Sequence, residues 1–361
     1  MTSLPIRDEL RGMEPYGAPQ LDVPVRLNTN ENPFQPPRDF VEDLAATALE
    51  VSRTLNRYPD REAQWLRADL ARYVGDESET AGIDADMVWP ANGSNEVMTQ
   101  VLQAFGGPGR KALTFSPTYS MYEEYARNTF TEFVTVPRNA DFTLDAESAA
   151  GTVRLLRPDV VFLASPNNPT GTAMSLDVVR AIVGAFDGMV VVDEAYAEFR
   201  RPDVPSAVSL ISRNPRLIVT RTMSKAFGFA GARVGYAVAN SEVIDALRIV
   251  RLPYHLSSLT QAVARTALAH AGELQEQVRQ LRGERDALVD WFEANDFITT
   301  PSDANFVMFG CFDDRHAVWQ ALVDEGVLVR EVGPAGYLRV SIGTPAEMEA
   351  FKEALMKVGS R

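Results

Sequence analysis

Short apolar runs at residues 87–90, 111–115, 133–136, 159–164, 189–192 and 217–219 alternate with polar loops and with stretches of helical spacing. The run at 159–164, DVVFLA, is apolar at nearly every position, as in a strand buried on both faces. Helical patterns follow the loops over 95–105, 122–127 and 176–186. Strand, polar loop and helix in repetition predict a mostly parallel α/β sheet with helices on both faces. Upstream, 38–51 and 62–73 read as amphipathic helices. The second carries Trp65, Leu66, Leu70 and Tyr73 on its apolar side.

The two ends of the chain read differently. Prolines at 5, 15, 19, 24, 33, 36 and 37 forbid a long helix, so residues 1–37 are expected to form an arm, with a short strand at 25–27. Beyond Ser241 the alternation fades. Helices are expected over 241–252, 258–294 (broken near Gly272), 317–325 and 346–356, with strands at 305–309, 327–330 and 337–342. The pattern predicts an arm (1–37), a large α/β domain (38–255) and a small α+β domain (256–361). Neither an internal repeat nor a low-complexity linker interrupts the chain.

Composition narrows the function. The 361 residues carry 35 basic and 49 acidic side chains, a formal net charge of −14. That balance argues against a nucleic-acid or anionic-membrane surface and leaves room only for a local basic pocket. The single cysteine, Cys311, rules out an intrachain disulfide and is expected to be an inert, packed thiol. His255, His270 and His316 are too scattered for a metal cluster. The polar N-terminus lacks a signal core, and no run is long enough to span a bilayer, so a cytoplasmic location is expected.

Candidate chemistry sits where the strands end. In parallel α/β sheets ligands bind beyond the carboxyl ends of the strands. Asn168, Asp193 and Lys225 each follow such an end. Asp193 closes a buried run, where a carboxylate is costly unless paired. Lys225 lies in TRTMSKAFGFAGARVGY (220–236), among small and hydroxyl residues, and lysine is scarce, the others being Lys111, Lys352 and Lys357. An amine buried there near Arg233 would lose its proton easily and act as a nucleophile. Gly93, Ser94 and Asn95 open a helix after a strand, a place where free amides favour an anion, and Ser94 or Asn95 suits the N-cap. An amide, a carboxylate and a lysine are the set that pyridoxal phosphate chemistry requires.

The ordered blocks LNTNENP (27–33), RYPD (57–60), ANGSNE (91–96), SPTYSMY (116–122), SPNNPTG (165–171), VVDEAYAEF (191–199), TRTMSKAFGFAGARVGY (220–236), RLPYHLSS (251–258), SDANFV (302–307) and YLRVSIGT (337–344) cover essentially the whole chain. With them the chain resembles the fold-type I pyridoxal-phosphate aminotransferases, and within these the histidinol-phosphate aminotransferases. The resemblance implies pyridoxal 5'-phosphate as cofactor, with pyridoxamine 5'-phosphate as its half-reaction form. It implies Lys225 as the Schiff-base lysine and proton carrier, Asp193 at the pyridine nitrogen, and Asn168 and Tyr196 at the ring hydroxyl. Tyr119 is implied as the stacking aromatic, and Gly93, Ser94, Asn95, Thr222, Ser224 and Arg233 as the phosphate's surroundings. Tyr58 is implied to reach the phosphate of the other subunit of a homodimer.

On the substrate side the resemblance implies Arg339 for a carboxylate or, with histidinol phosphate, for help in holding its phosphate, Arg330 for the phosphate of histidinol phosphate, and Tyr16, Asn30, Asn168 and Asn305 as lining. The ANGSN loop departs from relatives with acidic residues there, which leaves open which side chain meets the phosphate. The implied reaction transfers an amino group between histidinol phosphate and 2-oxoglutarate, or in the biosynthetic direction from glutamate to imidazole-acetol phosphate. An aromatic amino-acid aminotransferase of the same fold would share the cofactor residues. A nicotinamide dehydrogenase is disfavoured because no strand leads into G-x-G-x-x-G. A non-catalytic regulator is disfavoured because Lys225 is present and 1–37 is too short and proline-rich for a winged helix.

Overall fold

The apolar runs assemble into one seven-stranded sheet. The computed structural model describes residues 4–359. The first half contains β1 (Val25–Arg26), α1 (Arg38–Ser52), α2 (Gln64–Glu77), β2 (Val88–Ala91), α3 (Ser94–Phe105), β3 (Lys111–Ser116), α4 (Met121–Asn128), β4 (Glu132–Pro137), α5 (Ala146–Leu156), β5 (Val160–Ala164), α6 (Leu176–Val183) and β6 (Met189–Asp193). There follow β7 (Leu217–Thr222), β8 (Gly235–Ala239), α7 (Ser241–Val250), α8 (Ser258–Ala269) and α9 (Ala271–Ala294). The chain ends with β9 (Ile298–Thr299), β10 (Phe306–Gly310), α10 (Arg315–Asp324), β11 (Val327–Leu328), β12 (Tyr337–Ser341) and α11 (Pro345–Gly359).

The sheet order is β2-β8-β7-β6-β5-β3-β4. Strands β3 to β7 are parallel, and β8 is antiparallel to both its neighbours. Because side chains alternate along a strand, each one feeds two cores. Val161, Leu163, Val190, Val192, Leu217 and Val219 join one. Val160, Phe162, Ala164, Met189, Val191 and Ile218 join the other. A three-stranded sheet, β12-β10-β9, forms towards the C-terminus, and β1 pairs in parallel with β11, which ties the N-terminal segment to that part of the chain.

Several expectations are corrected. β8 begins at the end of the lysine motif, where glycine and alanine hide the strand pattern. α5 is rich in alanine and is capped by Asp145, whose side chain accepts from the Ser148 amide. The long helix breaks at His270, close to the expected Gly272. Trp65 is 71% exposed and lies beside Arg265, so it leaves the apolar side of α2. Cys311 is exposed rather than packed. The N-cap of α3 is Gly93, at φ +81°, rather than Ser94 or Asn95.

Candidate active site

The carboxyl ends of β2, β3, β5, β6 and β7 open on one cleft. Its wall includes Ser94 and Asn95 after β2, Tyr119 after β3, Asn168 after β5, Asp193 and Tyr196 at and after β6, and Thr222, Ser224 and Lys225 at and after β7. Parallel strands deliver these loops to the same edge, so residues far apart in sequence become neighbours.

The amine of Lys225 donates to the Thr29 carbonyl at 3.0 Å. Burial, helped by Arg339 and Arg233 against the opposing charge of Glu31, pushes the amine down to about 8. A minority of the amine is therefore uncharged at neutral pH, and the fraction grows as pH rises through about 8, supplying the state a nucleophile or base requires.

Asp193 is buried, and its described partners are neutral donors. Tyr122 donates to Oδ2 at 2.9 Å and Thr220 to Oδ1 at 3.2 Å. Burial pushes the carboxyl up to about 6, against the pull of these two hydroxyls and the Ala195 amide. A cationic ring nitrogen would supply the counter-charge that this carboxylate lacks.

At the other side of the cleft the groups suit an anion. Thr222 Oγ1 donates to Ser224 Oγ at 3.0 Å, and Arg233 Nη1 to Ser224 Oγ at 3.3 Å. Gly93 is needed here: a Cβ on it would lie 2.6 Å from Arg233 Nη2. A Cβ on Gly235 would fall on the Ser94 amide nitrogen. Both glycines let Arg233 and the start of α3 close on one spot. An amine, a buried carboxylate, an anion cradle and the Tyr119 ring together fit a phosphorylated aromatic aldehyde.

The remaining wall comes from the ends of the chain. Arg339 Nη1 donates to Asn168 Oδ1 at 2.6 Å and Nη2 to the Asn28 carbonyl at 2.9 Å. Burial, countered by Tyr196 and reinforced by Arg330, pushes its guanidinium down to about 10. Asn30 Nδ2 donates to the Tyr196 hydroxyl at 3.0 Å, and Asn168 Nδ2 to the same oxygen at 3.5 Å. Arg330 lines the cleft and donates to the Gly17 carbonyl at 3.3 Å. Tyr16 lines it too, accepting from Ser120 Oγ at 3.2 Å.

Comparison with known proteins places this arrangement. The family model for aminotransferase class I and II matches residues 23–355. The chain belongs to the class I and II aminotransferases. This aminotransferase is 59% identical over 358 residues to the histidinol-phosphate aminotransferase of Thermobifida fusca, covering 99% of this chain and 96% of that one. It is 51% identical over 359 residues to that of Corynebacterium glutamicum, covering 99% and 97%. Among solved structures it resembles the histidinol-phosphate aminotransferase of Sinorhizobium meliloti in complex with pyridoxal-5'-phosphate, with a TM-score of 0.81 and 26% identity over 93% of this chain and 91% of that one.

Two expected residues of this aminotransferase stand apart from the cleft. Tyr58 is 79% exposed and stacks on Tyr254 with ring centroids 4.4 Å apart. Asn305 is fully buried behind the wall and donates to the Asn30 carbonyl at 3.0 Å, so it supports Asn30 rather than lining the site. The sequence reading missed Tyr122, Thr220 and the carbonyls of Asn28 and Thr29. Tyr122 was findable: it lies three residues after Tyr119, at a spacing that puts both on one face of a helical turn. The two carbonyls carry no sequence signal.

Proposed function

We propose that this aminotransferase uses pyridoxal 5'-phosphate, cycling through pyridoxamine 5'-phosphate, to transfer an amino group between histidinol phosphate and 2-oxoglutarate. In the biosynthetic direction glutamate would aminate imidazole-acetol phosphate in histidine biosynthesis. The observation that carries the reading is the meeting in one cleft of the Lys225 amine, the buried Asp193 carboxylate and the Arg330–Arg339 pair. The 51–59% identity to histidinol-phosphate aminotransferases supports the choice of substrate.

When bound, pyridoxal phosphate supplies a covalent anchor for the substrate amine and a ring that accepts the electron pair released at the substrate carbon. Ser94, Asn95, Thr222, Ser224 and Arg233 would hold its phosphate, with Gly93 leaving them room. Tyr119 would cover a ring face, and Asn168 and Tyr196 would meet its hydroxyl. Asp193, held by Tyr122 and Thr220, would keep the ring nitrogen protonated. Lys225 would hold the cofactor covalently through its amine and, when free and uncharged, would move the proton at the substrate carbon. Arg339 is aimed by Asn168 and the Asn28 carbonyl to take a carboxylate, and Arg330 would take the substrate phosphate. The same two arginines would serve the dicarboxylate in the second half of a ping-pong cycle.

We propose in addition that the protein acts as a homodimer, in which the exposed Tyr58 reaches the phosphate of the neighbouring site. Among the described residues no helix is long and apolar enough to cross a membrane, which suits an enzyme of cytoplasmic metabolites. A panel of amino donors with 2-oxoglutarate tests the reading. Histidinol phosphate should give the highest kcat/KM, and a preference for phenylalanine would instead assign the protein to aromatic amino-acid transamination. Sedimentation tests the dimer: a monomer that is fully active would remove it.

A further inference from the structure

Behind the same two strands lies a second charged cluster, one that no step of transamination uses. Asp193 and Thr220 meet on the cleft side of the sheet, so Glu194 and Arg221, their neighbours in sequence, lie on the opposite side. Arg221 is fully buried there. Three carboxylates, Glu77, Glu194 and Glu198, surround it, and Arg200 is the second guanidinium of the group.

The three acids are served unequally. Glu194 Oε2 takes Arg221 Nε at 2.9 Å, Arg221 Nη2 at 2.7 Å and Ser206 Oγ at 2.7 Å, while its Oε1 takes the Ala207 amide at 2.7 Å. Glu77 takes Arg221 Nη1 at 2.9 Å and Arg200 Nη2 at 2.9 Å. Glu198 has Arg221 Nη1 only at 3.7 Å, beyond hydrogen-bond distance, and a single phenol, Tyr73, at 3.2 Å. Tyr73 is itself held by Gln275 Nε2 at 2.9 Å. The groups around Glu198 are Tyr73 and Glu77 from α2, Arg221 from β7, Tyr236 from β8, Glu194 at the end of β6 and Arg200 on its own turn. Two guanidinium groups cannot neutralise three buried carboxylates, and an unmatched buried anion is strongly disfavoured.

We propose that Glu198 keeps its proton in the folded protein up to near-neutral pH, and that this proton allows the three carboxylates to close around Arg221. Burial, opposed by Arg221 and reinforced by Glu77, pushes the Glu198 carboxyl up to about 7. In Glu77 the cost of burial is outweighed by Arg221 and Arg200, and its carboxyl is held below its ordinary value. Glu198 belongs to the short helical turn Ala197–Phe199, directly after Tyr196. Glu198 is thus a positioning residue: while neutral it lets this turn lie beside Glu77, and once ionised it is repelled by Glu77 and loosens the seat of Tyr196. The proton assignment does not rest on the proposed substrate or cofactor.

The sign follows from the raised value. The folded carboxyl holds its proton above the ordinary 4.5, so its stabilising contribution is complete below that value and is lost as pH rises through about 7. Infrared spectra of the holoenzyme labelled with 13C at the glutamate side-chain carboxyl should show a labelled protonated-carboxyl band at pH 6 that is gone by pH 8.5. The wild-type chain alone suffices for that arm, and absence of the band at pH 6 overturns the proposal. Glu198→Gln, a permanently neutral isostere, should lack the band and gain several degrees of Tm relative to wild type between pH 6 and 8.5. Glu77→Gln should lose Tm at both. The kcat ratio of Glu198→Gln to wild type should rise over the same interval. A Tm difference and a kcat ratio that stay constant with pH would each contradict the assignment.

Discussion

Tyr122 donates its hydroxyl proton to Asp193 Oδ2 across 2.9 Å, inside the core and one helical turn from the Tyr119 ring. The two tyrosines pack edge to face with centroids 5.6 Å apart, so Tyr122, on α4, backs the Tyr119 ring in the cleft wall and orients the buried carboxylate as well. A hydrogen bond to a charged group contributes about 1.5–3 kcal/mol. Tyr122→Phe removes one donor that holds the Asp193 carboxyl down, so its value should climb above about 6. We expect kcat/KM at pH 7 to fall roughly 10- to 100-fold and the acidic limb of its pH profile to move upward. An unshifted limb would show that Tyr122 does not act through Asp193.

Lys225→Ala should lower kcat by more than about a thousandfold, the loss of both nucleophile and proton carrier. Borohydride should fix the cofactor to the Lys225 peptide of the wild type, read by mass spectrometry, and to no peptide of the variant. Retention of full turnover would refute its role.

The amine of Lys225 can be titrated directly, because the chain has four lysines, Lys111, Lys225, Lys352 and Lys357. In cofactor-free protein labelled at lysine Cε, one resonance should titrate with a midpoint of about 8 and be missing from Lys225→Ala. The folded value lies below the ordinary 10.5, so the protonated amine opposes folding. That cost is relieved as pH rises through the interval from about 8 to 10.5, and stability from this group increases accordingly.

Arg330→Ala should raise KM for histidinol phosphate about 10- to 100-fold, as expected for losing a charge-assisted contact to phosphate. Phenylalanine, which has no phosphate, should be affected much less. Equal losses for both donors would remove the phosphate role of Arg330.

Gly235→Ala places a methyl group on the backbone nitrogen of Ser94, which cannot swing aside as a side-chain end would. Separating β8 from the start of α3 should cost about 1–3 kcal/mol, read as a lower Tm. Cofactor phosphate affinity should fall with it, since Ser94 and Asn95 lose their position relative to Arg233. An Ala variant with unchanged Tm and cofactor Kd would show that the contact relaxes freely.

Much of this fold is legible because buried parallel strands must be apolar on both faces. The runs at 159–164 and 189–192 declare themselves in that way, and the loops after them hold Asn168 and Asp193. β8 escapes because three of its five residues, GYAVA, are glycine or alanine, and its direction is set by pairing with β2 and β7 rather than by anything local. Trp65 misleads because helical spacing marks a face without saying what covers it. Cys311 misleads in the same way. It follows an apolar strand but sits at φ +70°, just past the last pairing of β10.

The sequence by itself determined the chemistry: one lysine among small residues, one aspartate at the end of a buried strand and one Asn-Pro turn, each tied to its place by local spacing. Only the tertiary structure decided the state of those groups. Lys225 is drawn towards neutrality because burial, Arg339 and Arg233 act on it, and Asp193 is turned and tempered by Tyr122 and Thr220. Asn305 is withdrawn behind Asn30, and Glu198 is left with the poorest share of Arg221. Burial and distance set these outcomes, and both depend on which strands lie side by side, a property that no stretch of the chain carries alone.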